Sequence, residues 1–208
     1  FTCTSCQRCA VVCPKKIEIP GKAIEKLREI ANREGLTLPR HQEVEALIPK
    51  IEAVHHDAFK NNLAYYPSTS TEFEMLVKNI MAVADPTLLK AVMKGDEIAG
   101  FIIAYPNISK ALQRIKGQIY PFGWIDLLLE KKRTKIIDID GVGLLPQYQG
   151  LGNNALLYVE IEKTLLERGS ESVEIIQVDE RNFRSKSDME NMGVIFNKTH
   201  RAYRKTIQ

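Results

Sequence analysis

No cysteine follows residue 13, and there is one tryptophan. No apolar run approaches the roughly 18 residues needed to cross a bilayer. The cysteine gap excludes a disulfide-stapled secreted fold, whose bridges would be spread along the chain. The missing apolar run excludes a membrane-spanning helix and leaves a cytoplasmic location as the expectation. No signal-peptide pattern is visible, and the first residue is Phe1 rather than Met, as in a fragment or a processed product. An excess of one charge is also lacking over most of the length. Residues 1–42 hold eight Lys/Arg against four Asp/Glu, and the remainder holds 21 against 22. A near-neutral body gives no electrostatic case for nucleic acid, and the basic excess before it reads as solvated helix faces. At 208 residues the chain can bury one good-sized core and carry an appendage. Nothing in the pattern sets an oligomeric state.

What is present begins with the four cysteines. Cys3-x-x-Cys6-x-x-Cys9-x-x-x-Cys13-Pro14 has the bacterial ferredoxin spacing for a [4Fe–4S] cluster. Thiolates are soft ligands suited to iron–sulfur clusters, and close spacing lets one loop wrap a cluster corner; zinc is the alternative. The fourth cysteine of such a run serves the other cluster in two-cluster ferredoxins. Cys13 therefore either closes a single local cluster or needs a second run that this sequence does not contain. A helix is expected over residues 22–34, with Ile24, Leu27 and Ile30–Ala31 on one face and Gly35 as its stop. From Cys3 to His41 the sequence resembles the second half of the small iron–sulfur subunit of heterodisulfide reductases. That resemblance implies a redox partner engaged through residues 1–41.

From residue 42 the pattern changes to alternating helices and strands. Helices are expected over 43–62 and 71–83, with Ser70 capping the second. Strands at 88–93 and 98–105 flank Gly95-Asp96 as a hairpin. A short helix near 109–115 follows, and the turn Tyr120–Trp124 suits either a substrate groove or a core anchor. The remaining order is a strand over 135–145, a helix over 153–168, a strand over 172–178, a helix over 182–192, and strand-like ends at 194–197 and 201–206. The class is α/β (α+β) with one mixed sheet. Between the 135–145 strand and the next helix lies Gln147-Tyr148-Gln149-Gly150-Leu151-Gly152. Two glycines expose backbone N–H groups beside a helix start, which is an anion cradle suited to pyrophosphate, or else a plain tight turn.

This strand–Gln147-x-x-Gly150-x-Gly152–helix–strand order, with Asn182 and Glu190-Asn191-Met192-Gly193 beyond it, resembles the GNAT superfamily of acyl-CoA-dependent N-acyltransferases over residues 42–208. The resemblance implies a mixed, mostly antiparallel GNAT-like sheet flanked by helices. It implies acetyl-CoA as co-substrate and a small-molecule or peptide amine as acceptor. Gln149, Gly150, Leu151, Gly152 and Asn153 would hold the pyrophosphate through their amides. Gly143, Leu144 and Leu145 would offer backbone groups to the pantetheine and polarise the thioester carbonyl, an effect of ~3 kcal/mol per donor. Asn182 would reach the acyl-CoA, and Asp138 and Asp140 are candidate bases, or else exposed charges on a strand. His55 and His56 fall on the helix that often borders the acceptor site; ordinary half-buried histidines are the alternative. The sequence departs from the family at Met189, where many members carry a proton-donating tyrosine, since a thioether donates no proton. It also departs at the first strand, because residues 1–42 contain little that reads as core strand; the sheet must lack an edge or borrow one. Two other functions stay open: iron–sulfur electron transfer, and CoA binding without turnover.

Overall fold

The computed structural model describes residues 29–39, 47, 50, 51, 54–60, 67–75, 85–150 and 153–200, with residues 7–12 and 177 described through their backbone. Seven strands form one sheet. They are β1 (Gln7–Val12), β2 (Leu36–Thr37), β3 (Leu89–Lys94), β4 (Glu97–Pro106), β5 (Ile136–Leu144), β6 (Ser172–Asp179) and β7 (Ile195–His200). Their order across the sheet is β2-β3-β4-β5-β6-β1-β7. Every neighbouring pair is antiparallel except β5/β6. The parallel neighbours β5 and β6 are joined by a crossover through α3 (Asn153–Glu167), and the step from β6 to β7 passes over β1. Between β4 and β5 lie α1 (Ser109–Arg114) and α2 (Gly123–Arg133), and between β6 and β7 lies α4 (Phe183–Asn191).

Residues 7–12 carry no strand pattern of their own, yet β1 is hydrogen-bonded to β6 on one side and β7 on the other. Leu36 and Thr37 pair with Lys94 and Met93 and so lend the sheet its edge. Strand pairing is decided by partners distant in sequence, which local pattern does not reveal. The 201–206 strand-like end lies outside the described residues.

Apolar side chains pack on both faces of the sheet. On α3, Leu157, Ile161 and Leu165 recur at helical spacing and pack against Ile102, Ile137, Ile139 and Val173. On the other face, Ile51 and Val54 pack with Phe101, Met93, Ile98 and Leu145. Leu157 and Ile102 have no exposed surface, and each such side chain stabilises the fold by about 1.5–3 kcal/mol. Residues 70–75 are helical, but the cap is Thr69 rather than Ser70. Thr69 N–H donates to Glu72 Oε2 at 2.8 Å, and Glu72 N–H donates to Thr69 Oγ1 at 3.3 Å. This reciprocal pair satisfies two free donors of the first turn.

A β-bulge in β5 positions the site. Ile103 pairs with Gly141 and Ala104 with Ile139, leaving Asp140 unpaired with β4. The extra residue inverts the alternation of side chains. Ile137 and Ile139 join the α3-side core before it, and Leu144, with partly buried Val142, does so after it.

Candidate active site

Parallel pairing of β5 with β6 covers only Ile136–Ile139 against Ser172–Ile175. Beyond those residues β5 runs on to Leu144 and β6 to Asp179, and among the described residues the two pair no further. The bulge at Asp140 adds twist to β5, while β6 is held by β1. The opened strands leave a cleft of about 890 Å³. Its walls include Val142, Gly143 and Leu144 on one side, Arg181, Asn182 and Arg184 on the other, and Gln149 and Gly150 at one end. A narrower recess of about 150 Å³ is lined by Asp140, Tyr158, Asn182 and Met189 among others.

The loop has the geometry its glycine predicts. Gly150 sits at φ 80°, in the left-handed region, and the space where a Cβ would stand is open. Asn153 begins α3 and is buried; its Nδ2 donates to the Tyr148 carbonyl at 2.7 Å, which ties the loop to the helix start. Leu151 and Gly152 lie outside the described residues. Gln149 spans the cleft mouth: its Nε2 donates to the Leu144 carbonyl at 3.1 Å, and its Oε1 accepts from Arg184 Nη1 at 3.1 Å. Arg181 and Arg184 carry no signal in the sequence, because a basic residue just after a strand has no distinguishing pattern. Their place opposite a glycine loop is what marks them.

Not every expected residue meets the cleft. Leu145 turns away, since its N–H donates to the Ala99 carbonyl and its carbonyl accepts from Tyr148 N–H. Asn182 does line the cleft, and it also caps α4 by accepting from Ser185 N–H at 3.1 Å. Met189 is buried in the α3-side core, and Gly193, at φ 74°, ends the helix with Val194 N–H donating to the Met189 carbonyl. His55 packs among the rings of Phe59, Phe73 and Phe101, with centroids at 4.9, 5.7 and 6.3 Å. Burial and the adjacent His56 lower its pKa, so it packs as a neutral ring. The 120–124 segment is exposed and so is not a core anchor; it runs into α2, which periodicity did not reveal.

The two aspartates part company. Asp138 is buried and accepts from Asn107 Nδ2 at 2.9 Å. Burial pushes its carboxyl up to about 6, the Asn107 bond pulls it down, and Glu174 and Asp140 push it up. Asp140 lines the recess at the bulge and keeps an exposed outer surface; desolvation on its recess side raises its pKa, and a hydrogen bond from Tyr105 lowers it. Tyr158, on α3, faces the same recess, and burial raises its pKa, so it stays protonated.

Asp138 gives a stability signature. Its folded pKa lies above the ordinary 3.8, so its contribution is fully present below pH 3.8 and is lost as pH rises through about 6. A difference of that size corresponds to about 3 kcal/mol. Asp138→Asn is expected to be more stable than the parent at pH 8, by up to about that amount, and no more stable at pH 4. Urea unfolding at both pH values measures this; an equal difference at both would place the pH dependence elsewhere.

The cysteines are only partly within view. Cys3, Cys6 and Cys13 lie outside the described residues, and Cys9 is described through its backbone, in β1. The expected cluster therefore lies outside the described residues.

Splayed strands with a glycine loop at the start of the crossover helix define a GCN5-related N-acetyltransferase (GNAT) fold, and this chain has it. A solved N-acetyltransferase of that type from Sphaerobacter thermophilus superposes with TM-score 0.57 at 15% identity, covering 94% of this chain and 50% of the other. A possible acetyltransferase from Clostridium difficile 630 superposes with TM-score 0.53 at 12% identity, covering 83% and 97%. In sequence the chain is 30% identical over 172 residues to a bacterial ceramide synthase of Caulobacter vibrioides, over 80% of this chain and 44% of that protein. Its length thus spans less than half of that relative. A shorter stretch of 49 residues is 51% identical to part of a fumarate reductase (CoM/CoB) polypeptide of Methanothermobacter marburgensis, over 23% of this chain and 10% of that protein. No protein-family profile matches the chain.

Proposed function

We propose that residues 42–208, with β1 and β2 completing their sheet, form an N-acyltransferase that moves an acyl group, acetyl in the simplest case, from an acyl-CoA to an amine. The observation that carries this reading is the open β5/β6 cleft ending on the Gly150 loop, with Arg181 and Arg184 facing it. The residues suit the polyanion. Arg184, bonded to Gln149, an unobstructed Gly150 and the N-terminus of a 15-residue helix stand together at one end, while Arg181 on the cleft wall is paired with Asp179. Likeness to a ceramide synthase over 80% of the chain favours a long-chain amine, or a long-chain acyl group, over a peptide.

When bound, acyl-CoA supplies a thioester whose carbonyl carbon the amine attacks. Asp140 takes the proton from the incoming amine, its raised pKa bringing it nearer to the neutral range at which a base works best. The backbone of Val142–Leu144 lies where it can polarise the carbonyl. Tyr158 returns a proton to the departing sulfur, the role that Met189 cannot perform. Asn182 holds the start of α4 against the cleft.

The test is acetyl-CoA binding by calorimetry beside an amine screen for release of free CoA. We expect binding, with turnover greatest on long-chain amines. Arg184→Ala is expected to weaken binding about ten-fold, the loss of one charge-assisted contact of ~1.5 kcal/mol. Binding with no turnover on any amine would leave a CoA-binding module, and no binding would sink the assignment. A second reading, electron transfer through residues 1–41, draws on the 51% identity to the fumarate reductase segment. Brown protein containing iron and labile sulfide would support it. Together with clustered cysteines, that outcome favours a reducing cytoplasmic setting.

A further inference from the structure

The α1–α2 connection is built inside out. Arg114 of α1 binds Asp126 through two bonds of 2.9 and 2.8 Å and Glu130 at 2.5 Å, so the acidic face of α2 is turned toward the protein. The apolar arc of the same helix is left outward. Trp124 is 50% exposed, Leu128 51%, and Ile125 and Leu129 41% each. No residue of α2 is buried. The preceding turn adds Tyr120 at 88% and Phe122 at 73% exposure. A helix facing only water would place these arcs the other way round.

Charge surrounds this apolar face. Residues 107–135 hold seven Lys/Arg against two Asp/Glu, in a chain whose net charge is only +3. Both acids are those engaged by Arg114. Lys110, Lys116, Lys132 and Arg133 are exposed around the patch. Aromatic and branched apolar residues beside lysine and arginine are the composition of an interfacial helix, with rings at headgroup depth and cations against anionic lipid. Among the described residues no helix is long and apolar enough to cross a membrane, so the contact is with the surface.

We propose that α2 and the Tyr120–Phe122 turn dock the protein peripherally on an anionic lipid bilayer. The Trp124 indole N–H already donates to the Pro121 carbonyl at 2.9 Å, so the ring enters the interface with its donor satisfied. α2 leads into the first residues of β5, whereas the Gly150 loop follows its last. Nine residues of strand, about 30 Å, separate them, and docking leaves the loop open to water. This surface is independent of the acyl-transfer assignment and is testable without it.

Trp124 is the sole tryptophan, which makes its fluorescence a direct probe. The full chain is mixed with vesicles of phosphatidylcholine alone or with phosphatidylglycerol, and sedimented with them. We expect a blue shift and co-sedimentation with the anionic vesicles, both weakening as salt rises. Each exposed basic residue removed, Lys132→Ala or Arg133→Ala, is expected to lower vesicle affinity about five-fold. Leu128→Glu, an exposed position, should abolish the shift while circular dichroism stays unchanged. No shift with anionic vesicles would overturn the proposal. So would equal binding to neutral vesicles, or a blue shift that follows protein concentration without lipid and accompanies dimer formation.

Discussion

Gly150→Glu is expected to abolish acyl-CoA binding, with a loss of at least about 100-fold by calorimetry. Two effects combine. At φ 80° most L-residues, Glu among them, are strained, costing roughly 1–2 kcal/mol. The space beside the Cβ position is open, so the side chain enters the region where the loop would receive phosphate and places a carboxylate there. Gly150→Asn separates the two effects, because Asn tolerates the left-handed region and carries no charge. It should keep binding within a few-fold. If Gly150→Glu binds as the parent does, the phosphates lie elsewhere.

Asp140→Asn should lower kcat by about 10²–10⁴-fold, the usual contribution of a positioned base, and leave acyl-CoA affinity unchanged. The parent's kcat/KM should fall on the acid side as the carboxylate protonates, at a pH above the ordinary carboxylate range because desolvation raises this pKa. The variant should lose that limb. Asp138→Asn is the control: its side chain is buried against Asn107, away from the cleft, and activity should persist. Tyr158→Phe should reduce kcat and retain the acid limb. Equal activity in Asp140→Asn and parent would remove Asp140 from the chemistry.

Much of the site was legible because its signals are local. Gly150 announces a left-handed turn, and the 153–167 periodicity announces the helix that follows. Gly95-Asp96 between two apolar runs announces the β3/β4 hairpin. The choice between Asp138 and Asp140 was not legible, since two residues of one type at spacing two look equivalent on a regular strand. The bulge at Asp140 breaks that equivalence, and it exists only in the register between β4 and β5. Leu145 resembles its neighbours in sequence, and only its backbone bonds to Ala99 and Tyr148 set it apart. α2 was hidden for a related reason. Its apolar arc follows helical spacing over only three turns, and it lies outward where burial offers no confirmation.

The amino-acid order by itself determined the succession of strands and helices from β3 onward, α2 excepted, and the glycine loop at the start of α3, because turn chemistry and periodicity act within a few residues. Tertiary structure alone decided that β1 lies between β6 and β7, that β5 and β6 part to form a cleft, and that Arg184 faces Gln149 across it. Each of these depends on hydrogen bonds or packing between segments far apart in the chain, where the free energy of one arrangement is set by partners that no local pattern names.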